Sequence, residues 1–192
     1  RDRAMTKTLI LPGLDGSPAP HWQHWWAATD PGALLVEQQD WSRPTHEAWE
    51  AELAGAILQH PNCILVGHSL GAILAARVLT RWPQLKVAAA LLVAPANPDH
   101  SPRLASFAGI PNADLGVPAT LVASRNDPWM SFAHSSALAK SWGARLVDHG
   151  FVGHLNVASG FGPWPGGLAL RDDLAARAGL VPDHAKGQRA IA

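Results

Sequence analysis

Cys63-Ile-Leu-Val-Gly-His-Ser-Leu-Gly-Ala-Ile-Leu-Ala-Ala-Arg-Val-Leu79 decides the fold of this chain. It opens on an unbroken apolar run, 63–66, which reads as a strand buried on both faces. It closes on Ala72 to Leu79, a run of helix formers. Between them lies Gly67-His68-Ser69-Leu70-Gly71, the G-x-S-x-G form of a nucleophile elbow. A strand turning sharply into a helix at a strained serine leaves no room for side chains two positions to either side, so glycine is needed there. The five-residue pattern alone is also what an ordinary Gly-Ser turn gives. The strand before it and the helix after it make Ser69 the candidate nucleophile, and His68 beside it is read as structural.

Working outward, further short apolar runs read as strands: Thr8-Leu-Ile-Leu11, Ala33-Leu-Leu-Val36, residues 88–93, Ala119-Thr-Leu-Val-Ala123 and, more weakly, Ala144-Arg-Leu-Val147. Helical patterns at 21–28, 45–59, 70–82, 132–142 and 167–178 alternate with them. This alternation predicts an α/β fold with a mostly parallel central sheet of about six strands, helices on both faces and no sizeable lid. In such folds the loops at the carboxyl ends of the strands carry the function. Those loops are Pro12-Gly-Leu-Asp-Gly-Ser17, the elbow itself, Ser124-Arg-Asn-Asp-Pro128 and Asp148-His-Gly-Phe-Val-Gly-His154.

A serine hydroxyl needs a base to take its proton, and the base needs an acid to hold its tautomer. The order Ser, Asp, His of α/β-hydrolases is met by Ser69, Asp127 and His154. Two rivals stand beside them. His149 is nearer the strand end, although Gly153 permits an unusual loop conformation at His154. Asp99 follows the fourth strand, and Asn-Asp-Pro around Asp127 is also ordinary turn chemistry. The backbone N–H groups of Leu14 and Leu70 are the expected oxyanion hole, with Gly13 allowing close approach. Of the nine tryptophans, Trp22, Trp25, Trp26 and Trp49 read as helix faces packed on the sheet, whereas Trp129, next to the acid loop, is a candidate for the substrate pocket.

Composition excludes several alternatives. A chain of 192 residues, 47% hydrophobic, fits one domain, expected over 8–180 with flexible segments at 1–7 and 181–192. Lys+Arg and Asp+Glu each number 15, which gives no bulk attraction to nucleic acid or to an anionic membrane. A single cysteine inside an apolar run, with no signal-peptide core and no bilayer-spanning run, fits a cytoplasmic protein. No metal is expected, because His46-Glu47-Ala48-Trp49-Glu50 ends in Glu where a zinc helix needs a second histidine. His21 and His24, with no third ligand, read as packing or surface histidines. Gly160 and Gly162 lack the strand-to-helix setting of a dinucleotide loop, so no cofactor is expected either.

The chain resembles the retinoblastoma-binding-protein-nine-like (YdeN-like) serine hydrolases, a compact branch of the α/β-hydrolases. The resemblance rests on Pro12-Gly13 with Ser17, His21-Trp22-Gln23 with Trp26, Gln39-Asp40-Trp41 with Pro44 and Trp49, and the elbow. It continues through Val93-Ala-Pro95, Ala123-Ser124 with Asn126-Asp127-Pro128, Gly153-His154 with Asn156, and Ser159-Gly-Phe-Gly-Pro-Trp-Pro165, roughly Thr8 to Leu174 in all. It departs at Trp129, where the family pattern has tyrosine, and at Leu115-Gly-Val-Pro118. The resemblance implies Ser69, Asp127 and His154 as a catalytic triad, which decides between the two histidines. The expected activity is cofactor-independent hydrolysis of small carboxylic esters, with amides as further substrates, in an open, shallow pocket. The other function class is a protein-binding module on the same fold with vestigial catalysis.

Overall fold

The computed structural model describes residues 6–180. Its centre is a six-stranded sheet in the order β2-β1-β3-β4-β5-β6, formed by β1 (Thr8–Leu11), β2 (Ala33–Leu35), β3 (Cys63–His68), β4 (Val87–Val93), β5 (Ala119–Ala123) and β6 (Arg145–Asp148). Every pairing is parallel. Among the described residues four α-helices lie between strands, α1 (Trp22–Thr29), α2 (His46–Gln59), α3 (Leu70–Arg81) and α4 (Phe132–Trp142), and α5 (Pro165–Arg177) follows β6. The expected α/β-hydrolase architecture is thereby present, with element ends shifted by one or two residues. The start of α5 at Pro165 rather than 167 follows from proline's fitness for the first helical turn.

Strand residues alternate between two cores. Leu9, Leu11 and Leu65 face a layer built from α2, α3 and α4, including Trp49, Leu53, Ile73 and Trp142. Ile10, Ile64 and Val66 face α1 and α5 through Trp22, Trp26 and Leu174. Strands buried on both sides have no polar face, which is why they read as continuous apolar runs.

The flexible segments expected at 1–7 and 181–192 lie largely outside the described residues. At the inner edge of the first, Thr6 is buried, and the Lys7 carbonyl accepts the Ile64 amide at 2.8 Å. The ladder beside β3 thus begins before Thr8, because an extended chain there satisfies backbone groups that would otherwise be orphaned. A second difference lies between β4 and β5, where the 3₁₀ turns Pro98–His100 and Pro102–Phe107 form and bury Leu104 and Phe107.

Register sets the position of the site. Leu11 pairs with Gly67, His68 with Val93, Val93 with Val122, and Ala123 with Asp148. The carboxyl ends of β1, β3, β4, β5 and β6 are therefore level, and their loops open on one edge of the sheet.

Candidate active site

Ser69 sits between β3 and α3 with φ 59° and ψ −123°, a strained backbone for a residue with a side chain. The elbow exists because its glycines let backbone meet backbone. A β-carbon on Gly67 would lie 2.7 Å from the Gly71 carbonyl oxygen, and one on Gly71 would overlap the Leu11 carbonyl. Ser69 Oγ lies 2.8 Å from His154 Nε2. His154 Nδ1 lies 2.9 Å from each carboxylate oxygen of Asp127. A carboxylate only accepts, so Nδ1 carries the proton and Nε2 offers its lone pair to the serine hydroxyl. The Asp127 side chain is 2% exposed, so this bond is made away from water.

The acid and base loops are tied to each other. Asn126 Oδ1 accepts the Gly153 amide at 2.8 Å and the Ser124 hydroxyl at 3.0 Å, while Ser124 Oγ accepts the Val152 amide at 3.1 Å. Asp127 Oδ1 also accepts the Trp129 amide at 2.8 Å. Gly153 has φ 62°, the unusual conformation expected of it. Behind His154, Trp22 Nε1 donates to the Leu155 carbonyl at 2.9 Å, and His68 Nε2 donates to the His154 carbonyl at 2.8 Å. His68 is structural, as expected, and its particular task is to brace the backbone of His154. The rivals lie elsewhere. His149 packs its ring 5.7 Å from that of Trp164, and Asp99 is exposed on a 3₁₀ turn.

The loop after β1 passes over the elbow. A β-carbon on Gly13 would stand 3.0 Å from Ser69 Cβ and 3.1 Å from Leu70 N, so only glycine lets this loop approach so closely. Among the described residues, neither the Leu14 nor the Leu70 amide has a protein acceptor. Both are free to donate next to Ser69. Gln23, fully buried, holds this loop: its amide donates to the carbonyls of Leu11 (3.0 Å) and Val66 (3.3 Å), and its oxygen accepts Ser17 Oγ–H at 2.7 Å. On the outer side Arg103 grips Asp15 with two bonds, of 3.1 and 2.7 Å, and reaches the Ser42 carbonyl at 2.9 Å.

These loops enclose a cavity of about 380 Å³ whose lining includes Leu14, Ser69, Leu104, Trp129 and His154. Trp129 thus stands where the sequence placed it, its ring 6.1 Å from that of His154. Ser101, Arg103 and Leu104 form one wall of this half-open site. Sequence reasoning also missed His21, which caps α1 and lines the same cavity. Burial, and then the proximity of His154, lower its pKa to about 4. No group of three or more His, Cys, Asp or Glu among the described residues is placed to hold a metal ion. No helix among them is long and apolar enough to cross a membrane.

Comparison with known proteins agrees with this architecture. The model of the serine hydrolase family matches residues 8–172. A putative YdeN-like hydrolase from Pectobacterium atrosepticum is 32% identical, with a TM-score of 0.81 over 91% of this chain and 92% of that one. The ydeN gene product of Bacillus subtilis is 22% identical, with a TM-score of 0.77 over 88% and 98%. Esterase 2 of Thermogutta terrifontis, 19% identical with a TM-score of 0.70 over 94% and 86%, shares the fold. No curated protein matches the chain by sequence. With the family pattern running from the first strand into the last helix, the chain belongs to the serine hydrolase family and is a YdeN-like hydrolase of the α/β-hydrolase fold.

Proposed function

We propose that the chain is a carboxylesterase-like enzyme in which Ser69, His154 and Asp127 form a catalytic triad and Leu14 and Leu70 supply the oxyanion hole. The observation that carries this reading is the hydrogen-bonded series from Asp127 through His154 to Ser69 Oγ, in a cavity lined by Leu14 and Ser69. His154 Nε2 takes the hydroxyl proton as Oγ bonds to the ester carbon, and the carbonyl electron pair moves to oxygen. The Leu14 and Leu70 amides are preorganised to donate hydrogen bonds to that oxygen. The tetrahedral adduct collapses, expelling the alcohol, which takes its proton from His154. Water, deprotonated by His154, then attacks the acyl-enzyme; the acid leaves and Ser69 regains its proton.

Small esters are favoured by the volume of the cavity and by its apolar wall of Leu14, Leu104 and Trp129. Amides follow the same steps with a poorer leaving group. The likeness to the Thermogutta esterase adds to this reading through the fold alone. The one cysteine, Cys63, is buried and unpaired, which accords with a reducing, cytoplasmic setting.

A fluorophosphonate probe applied to wild type and to Ser69→Ala tests the proposal. Labelling should be present in the first and absent in the second, and a panel of p-nitrophenyl esters of increasing acyl length should show turnover that Ser69→Ala lowers on the order of 10⁴- to 10⁶-fold. Folded wild-type protein that neither labels nor turns over any ester would overturn it.

A further inference from the structure

His21 is a polar group of the cavity wall to which the proposed mechanism gives no task. It is only 6% exposed, yet it lines the cavity beside Ser69 and His154. Its Nδ1 accepts the Gln23 amide at 3.0 Å, capping α1. A neutral imidazole with Nδ1 as acceptor must carry its hydrogen on Nε2. Nε2 has no acceptor among the described residues: the neighbouring rings of Trp22 and His68, at 5.5 and 4.9 Å between centroids, offer it none. Nε2 is not sealed from the cavity, so water can serve it when the site is empty, and a ligand that displaces that water must offer an acceptor in its place or forfeit a hydrogen bond. A cap alone needs no histidine, since Asn, Asp, Ser or Thr serves better.

The cavity is also two-sided. Leu104, with Leu14 and Trp129 packed against the same core between the sheet and α2, α3 and α4, forms an apolar stretch of its wall. His21 stands at the start of α1, on the side of the sheet covered by α1 and α5. We propose that His21 is a substrate-binding residue whose Nε2–H donates to an oxygen that the substrate carries apart from the scissile carbonyl, so that preferred esters are apolar at one end and oxygen-bearing at the other. This rests on the hydrolase reading above and narrows its substrate class. Burial and the neighbouring His154 keep the ring uncharged through the neutral range, so it selects a neutral acceptor, such as an ether, hydroxyl or carbonyl oxygen, over an anion.

The test uses pairs of esters that differ by one oxygen in place of a methylene. In the acyl arm, p-nitrophenyl methoxyacetate is compared with p-nitrophenyl butyrate. In the alcohol arm, 2-methoxyethyl butyrate is compared with butyl butyrate. Each kcat/KM ratio is divided by the ratio of the hydroxide-catalysed rates, which removes intrinsic reactivity. Wild type should prefer the oxygen-bearing member about 3- to 10-fold in one arm, which also shows which half of the substrate meets His21. His21→Asn, which keeps a cap but shortens the donor, and His21→Phe should bring that ratio to about one, mainly through KM, while fluorophosphonate labelling of Ser69 persists. His21→Gln, whose longer amide restores a donor, should recover part of the preference.

No preference in either arm of a wild type that labels at Ser69 would overturn the proposal. So would variants that lower both members of a pair equally. Wild type that fails to label would overturn the underlying hydrolase reading instead.

Discussion

At the scale of single residues the site makes two demands that stability and rate measurements can separate. Ser69 holds φ 59°, which costs a β-carbon-bearing residue on the order of 1–3 kcal/mol and costs glycine little. Ser69→Gly and Ser69→Ala should be equally inactive, but the glycine variant should be the more stable by about 1 kcal/mol in urea unfolding. Equal stabilities would mean that the elbow is relaxed. The second demand is tautomeric. In Asp127→Asn the amide can turn a donor toward His154 Nδ1, which favours the tautomer with its hydrogen on Nε2, facing the serine. kcat should fall on the order of 10⁴-fold with little change in thermal midpoint. A loss under tenfold would show that Asp127 does not orient the base.

At the scale of elements, the loop after β1 is held from two sides, and the two holds should behave differently. Gln23 on α1 is fully buried and satisfies two carbonyl groups at the ends of β1 and β3. Gln23→Leu removes its bonds to both carbonyls and strands the Ser17 hydroxyl that it accepts, so it should cost about 1–3 kcal/mol and also lower kcat by loosening the backbone around Leu14. The Arg103–Asp15 pair is half exposed. Arg103→Ala should therefore change stability by less than about 1 kcal/mol, and its effect should appear in kcat/KM and fade as salt is added to wild type. If Gln23→Leu left both stability and kcat untouched, the loop would be held by its turn geometry alone. Legibility from sequence followed the same division. Strands and helices were readable because burial on both faces of the sheet imposes runs and periods. Ser69 could be picked out because an elbow accompanies it, whereas chain order narrowed Asp127 and His154 only to themselves and their rivals Asp99 and His149, and the family resemblance made the choice. The supports were not readable, since Gln23, Ser124, Asn126 and His68 act through contacts between distant segments that have no period. The Pro98–Phe107 segment shows no helical pattern in the sequence because 3₁₀ turns are too short to give a repeat. His21, read as a packing or surface histidine, does pack against Trp22 and His68, but its place in the cavity wall was not legible because the sequence does not tell that the start of α1 opens into the cavity.

At the scale of the whole molecule, the level strand ends gather three histidines at one edge of the sheet, and two of them tie stability to pH. The rings of His21 and His154 each lie 4.9 Å from that of His68. Burial, then the neighbouring histidines, hold His68 well below its ordinary value, and His21 is lowered to about 4. In the unfolded chain both regain a pKa near 6.5. Between pH 6.5 and about 4, therefore, the unfolded state binds protons that the folded state refuses, and the stability present at pH 7 is lost as pH falls through this window. Each histidine changes the unfolding free energy by at most about 1.4 kcal/mol per pH unit. The cluster should thus lower stability by roughly 2–4 kcal/mol between pH 7 and pH 5, before ordinary carboxylates begin to titrate appreciably. Urea unfolding at the two pH values measures the drop directly. His21→Asn should reduce it by up to half, because the asparagine keeps the cap and takes up no proton in either state. A wild-type stability that stays level from pH 7 to pH 5 would show that the folded protein accepts these protons, and that burial at the sheet edge does not hold the two rings neutral.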